Sequence, residues 1–178
     1  PDVEMPKNPR WFSPPLYGLT TYGDLFTPRQ LVALTTFSDL IVEARKKVEA
    51  DALKAGHLDD GLPLRDGGRG AKAYGEAVGV YLGFGIDKMT DVCSSLTSWT
   101  PQRDTLRNTF GRQALPMVWD FAEVNVFSDS TGNFMSGISW IQNVIKKLPA
   151  ISSGSSHQAQ AQAQTLSKAK VISTDPPY

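Results

Sequence analysis

Leu31, Leu34, Ile41, Val48 and Ala52, with Ser38 between them, fall at helical spacing. Start and stop signals bracket this stretch. In "LFTPRQL", Thr27 reads as the N-cap, Pro28 takes the first helical position and Gln30 completes a capping box. Phe26 and Leu31 flank the cap as a hydrophobic staple, and Gly56 is a natural C-terminal stop. A second helix is expected from Ala71 to about Leu96, where Tyr74, Val78, Tyr81, Met89, Val92 and Leu96 recur on one face. Gly75, Gly79 and Gly83, four apart, give it a smooth stripe where another helix can approach. Ile138, Ile141, Ile145 and Leu148 line a third helix, with Thr131 as its expected cap and Pro149 as its stop.

Hydrophobicity then falls abruptly through "SSGSSHQAQAQAQTLSKA". Its Ser/Gly half reads as a flexible link. "QAQAQAQ" alternates with period two, although Ala and Gln prefer helix, and is read as a short strand. "KVIST" is a compact β-rich run. The expected fold is mainly α, three long helices with a short C-terminal β element. Four segments follow: an extended Pro/aromatic arm over 1–24, a helical body over 25–150, a link with the doubtful strand over 151–168, and a strand with "DPPY" over 169–178. Dense prolines exclude helix from the arm, and Trp11, Phe12, Leu16 and Tyr17 would pin it to a neighbouring surface.

Charge narrows the function classes. Lys plus Arg and Asp plus Glu number 18 each, so any contact with nucleic acid or an anionic membrane needs a local patch. Charges interrupt every long apolar run, so no membrane span is expected. The single Cys93 excludes an intrachain disulfide, leaves no basis for a metal site and suits a reducing, cytoplasmic setting. "PDVEMPKNPR" has no signal pattern and reads as part of something longer. His57 and His157 have no ligand-like companions and read as solvated side chains.

Two glycine motifs are set aside. "DGGRG" before the second helix could cradle a phosphate, but it lacks the Lys-Ser/Thr of a P-loop and reads as a plain turn. "LGFGID" matches only superficially the Phe-x-Gly-x-Gly signature of S-adenosylmethionine sites, because its glycines lie inside a helical period. The stretch from Ser98 to Phe134 is more informative. Arg103, Arg107 and Arg112 accumulate there against Asp104, interleaved with Trp99, Phe110, Trp119, Phe121 and Phe127. Basic and aromatic residues together suit a single-stranded or flipped-out nucleotide. The competing expectation is that the aromatics are core and the arginines cap helices or pair with Glu123 and Asp120.

The last residues carry the most pointed chemistry. In "VISTDPPY" two prolines stop the strand and hold the backbone stiffly extended beside Asp175. Methyl transfer to an exocyclic amine needs acceptors for its N–H groups, because the amine's lone pair is delocalised into the ring. Asp175 and the carbonyl of Pro176 can localise that lone pair and stabilise the charge developing on nitrogen. Pro177 stiffens the bend, and Tyr178 can stack on a base extruded from the duplex.

This run resembles the catalytic motif of amino-group methyltransferases, above all those modifying adenine in DNA. Together with "DLFTPRQLVALTTFSDLI", "AYGEAVGVYLGFGIDKM" and "NTFGRQALPMVWDFAEVNVFSDSTGN", the chain from about Tyr22 onward resembles the large bacterial and archaeal adenine-specific DNA methylases that also carry a zinc ribbon. The resemblance implies a Rossmann-like α/β parent enzyme using S-adenosylmethionine. This chain would be the segment between the cofactor turn and the catalytic loop, inactive alone. DNA and the rest of the parent chain would be its partners. Two positions depart from the family. Asn125-Val126-Phe127 stands where the family has Asn-Pro-Phe, and Gln162 stands near the place of an acid that contacts the cofactor's adenine. The alternative reading is a non-catalytic helical module that binds DNA or scaffolds a DNA-modification or defence system.

Overall fold

The computed structural model describes residues 2–8, 10–149, 159–160, 163–165, 168, 171 and 173. It divides into two units, Pro1–Lys146 and Lys147–Tyr178. In the first unit the described residues are mainly helical. They form helix α1 over Pro28–Lys54, α2 over Ala71–Thr90 and α3 over Phe134–Ile145, with a two-stranded antiparallel ribbon of β1 (Trp99–Thr100) and β2 (Thr105–Leu106). In the second, Ala163 and Gln164 both donate backbone N–H groups to the Gln160 carbonyl, forming a turn. Of the expected strand only Val171 and Ser173 are described, and neither is in regular structure.

Helix α1 begins as its local signals dictate. The Thr27 amide donates to Gln30 Oε1 at 2.8 Å, and the Gln30 amide donates to Thr27 Oγ1 at 3.4 Å, closing the capping box. Gly56, at φ +85°, follows its last turn. Helix α2 stops six residues short of the expected Leu96. The chain beyond Thr90 is drawn into i→i+3 turns at Val92 and Cys93, and Ser94 Oγ takes the Leu96 amide at 3.1 Å. Side-chain oxygens here satisfy backbone groups that a continuing helix would need. Helix α3 is capped by Asn133 and not by Thr131. Asn133 Oδ1 accepts from the Ser136 amide at 2.7 Å, while Gly132 at φ +95° separates Thr131 from the helix. It ends at Ile145, so Leu148 lies outside the face assigned to it.

Helix α2 is the central element, packing against both α1 and α3. A Cβ on Gly75 would lie 2.9 Å from the Arg45 carbonyl oxygen of α1, so the two backbones nearly touch there. The α3 crossing uses glycines on both sides: a Cβ on Gly137 would lie 3.2 Å from the Gly85 carbonyl.

The N-terminal stretch differs from an extended arm. It contains 3₁₀ turns at Pro14–Tyr17 and Gly23–Leu25 and folds back on itself through a Glu4–Thr21 bridge. A parallel Phe12–Leu115 bridge ties it to a segment 103 residues later. Met5, Leu25, Leu96 and Leu115 form a buried cluster under this join, and Leu34, Met89, Cys93 and Val126 form a second between the helices. Phe26, the staple residue, packs against both. Among the described residues, no helix is long and apolar enough to cross a membrane.

Candidate nucleic-acid interface

The 98–118 segment is built on buried hydroxyls and one carboxylate. Ser94, Thr97 and Thr109 are buried, and their oxygens pair with one another: Ser94 with Thr109 at 2.7 Å, Thr97 with Thr109 at 3.0 Å, and Ser94 with Thr97 at 3.3 Å. This knot pulls Thr109 back against the end of α2. There Asp91 finishes the anchoring. Its backbone carbonyl takes the Thr109 amide at 2.7 Å, and its side chain takes the Phe110 amide at 2.8 Å and the Asn108 side-chain amide.

The ribbon projects from this anchor. Trp99 pairs with Leu106 and Thr100 with Thr105, leaving Pro101–Asp104 as the connecting loop. The Arg103 amide donates to the Thr100 carbonyl at 3.1 Å, and Asp104 adopts φ +46°. The Arg107 amide donates to the Ser98 carbonyl at 2.8 Å. Arg103 therefore sits in the loop and Arg107 just past the ribbon's returning strand.

Arg103, Arg107 and Arg112 line one cavity of about 670 Å³, with Gln102 and Asn108 as further polar groups. All three arginines are exposed. Among the described residues none of the three closes an ion pair. Glu123, one of the carboxylates expected to neutralise them, is held instead by Arg29, which donates Nε to Oε1 at 2.6 Å and Nη2 to Oε2. The interleaved aromatics are mostly not core. Trp99, Phe110, Trp119 and Phe127 rank among the exposed large side chains, and Phe121 alone of the five is half-buried. Trp119 stands edge-on to Tyr17, ring centroids 5.0 Å apart.

A second cavity, about 690 Å³, adjoins the first and shares Gly111, Arg112 and Ala114 with it. Trp11 and Phe110 line it. Trp11 was expected only to pin the N-terminal stretch. Its arrival here depends on the Leu115 amide, which donates to the Trp11 carbonyl at 2.7 Å, a pairing that no local spacing announces.

Asp60 accepts from the amides of Arg69 at 2.7 Å and Gly70 at 3.1 Å, and the Ala71 amide donates to the Leu58 carbonyl at 2.8 Å, so the glycine-rich loop spends these donors within the fold. His57 is exposed beside the Tyr74 ring, and burial pushes the Cys93 thiol up, with the Glu123 charge adding to the effect. Gln162, His157 and all four residues of the Asp175-Pro176-Pro177-Tyr178 motif lie outside the described residues. The described residues do not fit S-adenosylmethionine. "LGFGID" lies wholly within α2, and among the described residues no strand runs into a glycine-rich turn. Comparison of the chain with protein-family models, with curated proteins and with solved structures finds no match in any of the three.

Proposed function

We propose that this chain is the DNA-facing segment of an S-adenosylmethionine-dependent adenine methyltransferase, with Arg103, Arg107 and Arg112 holding backbone phosphates. The observation that carries the DNA contact is the convergence on one cavity of three guanidiniums that close no ion pair among the described residues. A guanidinium at a helix end or beside a carboxylate is already satisfied, whereas these three keep their donors for a ligand rich in oxygen anions. Methyl transfer rests on the resemblance of "VISTDPPY" to the amino-methyltransferase motif. In that role Asp175 and the Pro176 carbonyl accept the N–H bonds of the adenine amine, Pro177 stiffens the bend and Tyr178 stacks on the base. The cofactor would be held by the rest of the parent enzyme.

The mainly helical build favours a second reading, a DNA-binding module without chemistry of its own. One measurement tests the DNA contact common to both readings, and a second separates them. Binding of a duplex oligonucleotide to the chain, followed across salt concentration, is expected to weaken with a logarithmic slope of about −0.9 per phosphate held. The Arg103→Ala/Arg107→Ala/Arg112→Ala variant should flatten that slope by up to about 2.7. An unchanged slope would remove the arginines from the interface. In the parent enzyme, Asp175→Ala should abolish methyl transfer to DNA while leaving duplex binding intact. Undiminished methylation would leave only the binding module.

A further inference from the structure

Trp11 and Phe110, far apart in sequence, line one cavity. Each leaves much of its ring in solvent, 45% for Trp11 and 42% for Phe110. Their backbones are nevertheless held. The Trp11 carbonyl accepts from Leu115, and the Phe110 amide donates to the Asp91 carboxylate. The Arg10 guanidinium lies 5.2 Å from the Trp11 ring centroid, near enough for a cation–π contact. Two exposed aromatic side chains on held backbones line one cavity, with Arg112 in its lining and Arg10 beside Trp11, the groups on which an unpaired base stacks and its phosphate rests. The 690 Å³ volume lies within the about 300–1,000 Å³ usual for small-ligand sites.

We infer that this cavity binds an unpaired nucleotide of single-stranded DNA, its base stacked against Trp11 and Phe110 and its phosphate on Arg112. Arg112 also lines the neighbouring cavity. A strand leaving the base slot therefore passes directly to Arg107 and Arg103. The site is separate from the base-stacking role assigned to Tyr178 and would hold a nucleotide displaced from the duplex. It rests on the nucleic-acid reading of the three arginines and not on methyl transfer. Every base has a π-face, so the slot is tolerant of sequence.

The test is binding of fluorescently labelled (dT)12 to the full chain, compared with a duplex of equal length and with (rU)12. The single strand should bind more tightly than the duplex. Trp11→Ala and Phe110→Ala should each weaken (dT)12 binding by about 5- to 150-fold, with little change in salt slope. Trp11→Phe, which restores a ring, should recover most of the loss and so exclude a folding defect. Loss of (dT)12 binding in the arginine variant alone, with both alanine variants unaffected, would overturn the base slot while leaving the phosphate contacts in place. Binding of (rU)12 tighter than (dT)12 would overturn the assignment to DNA. Loss of sensitivity to all five substitutions would overturn both the slot and the arginine reading beneath it.

Discussion

Adding a methyl group at Gly75 and at Gly83 should have opposite effects, although both belong to one stripe on α2. Each substitution by alanine relieves the entropic cost of a helical glycine, about 0.5–1 kcal/mol. At Gly83 no atom beyond the chain neighbours and the helix's own backbone lies within 4 Å of the new Cβ, so Gly83→Ala should stabilise by about that amount. At Gly75 the new atom would meet a backbone carbonyl of α1 at 2.9 Å, and backbone cannot step aside cheaply. Overpacking of this kind costs about 1–3 kcal/mol, so Gly75→Ala should be destabilising on balance. Urea titration of both variants reads the two signs, and stabilisation in both would mean that α1 and α2 do not touch at Gly75. The four-residue spacing announced this stripe, but spacing defines a face and not the course of the partner crossing it. That is why Gly75 and Gly83, alike in sequence, differ in role. Arg103, Arg107 and Arg112 were legible for a simpler reason: three cations against one acid stand out wherever the chain takes them. Trp11 gave no such sign.

At the scale of elements, what could be read depended on how local each determinant is. Helix α1 was legible at both ends because its cap, first-turn proline and terminal glycine are all short-range features. The end of α2 was not, because hydroxyls of Ser94, Thr97 and Thr109 compete for the chain there and act through the fold. The ribbon was missed because two-residue strands carry no periodicity. The loop before α2 yields a pH prediction. Hydrogen bonds from the Arg69 amide first, then those of Leu62 and Gly70, hold the Asp60 carboxyl below the usual carboxylate range. A carboxylate depressed in the folded state contributes stability that is fully present above its unfolded value and lost as pH falls through its folded value. Corrected for intrinsic rates, hydrogen exchange at the Arg69 and Gly70 amides should therefore quicken as pH drops below about 4. Asp60→Asn should show fast exchange there already at neutral pH, with little further response to acid. Protection that is independent of pH in the unaltered chain would mean that Asp60 does not hold these amides in solution.

For the whole molecule the decisive quantity is where charge goes uncompensated, since acids and bases balance at 18 each. Basic residues concentrate at the end of α1 as well as around the ribbon, and by count alone either could meet DNA. At the end of α1 the charges are largely spent internally: Arg45 pairs with Glu76 at 3.0 Å and Lys47 with Asp51 at 2.8 Å, while Lys54 approaches Asp51 at 3.9 Å. Around the ribbon the arginines have no such partners among the described residues. Exposed pairs are each worth little to stability, yet they matter to long-range attraction because opposite charges in contact largely cancel at distances greater than their separation, leaving little field within the Debye length. The two concentrations should thus behave differently under charge reversal. Lys47→Glu should leave DNA affinity and its salt slope near those of the unaltered chain. Arg107→Glu should weaken binding by at least about tenfold and lower the slope by about one to two phosphate contacts. Fluorescence anisotropy with one oligonucleotide at several salt concentrations measures both variants side by side. Equal losses would mean that DNA responds to the diffuse field of the molecule and not to the ribbon. A greater loss at Lys47 would move the interface to the far end of α1.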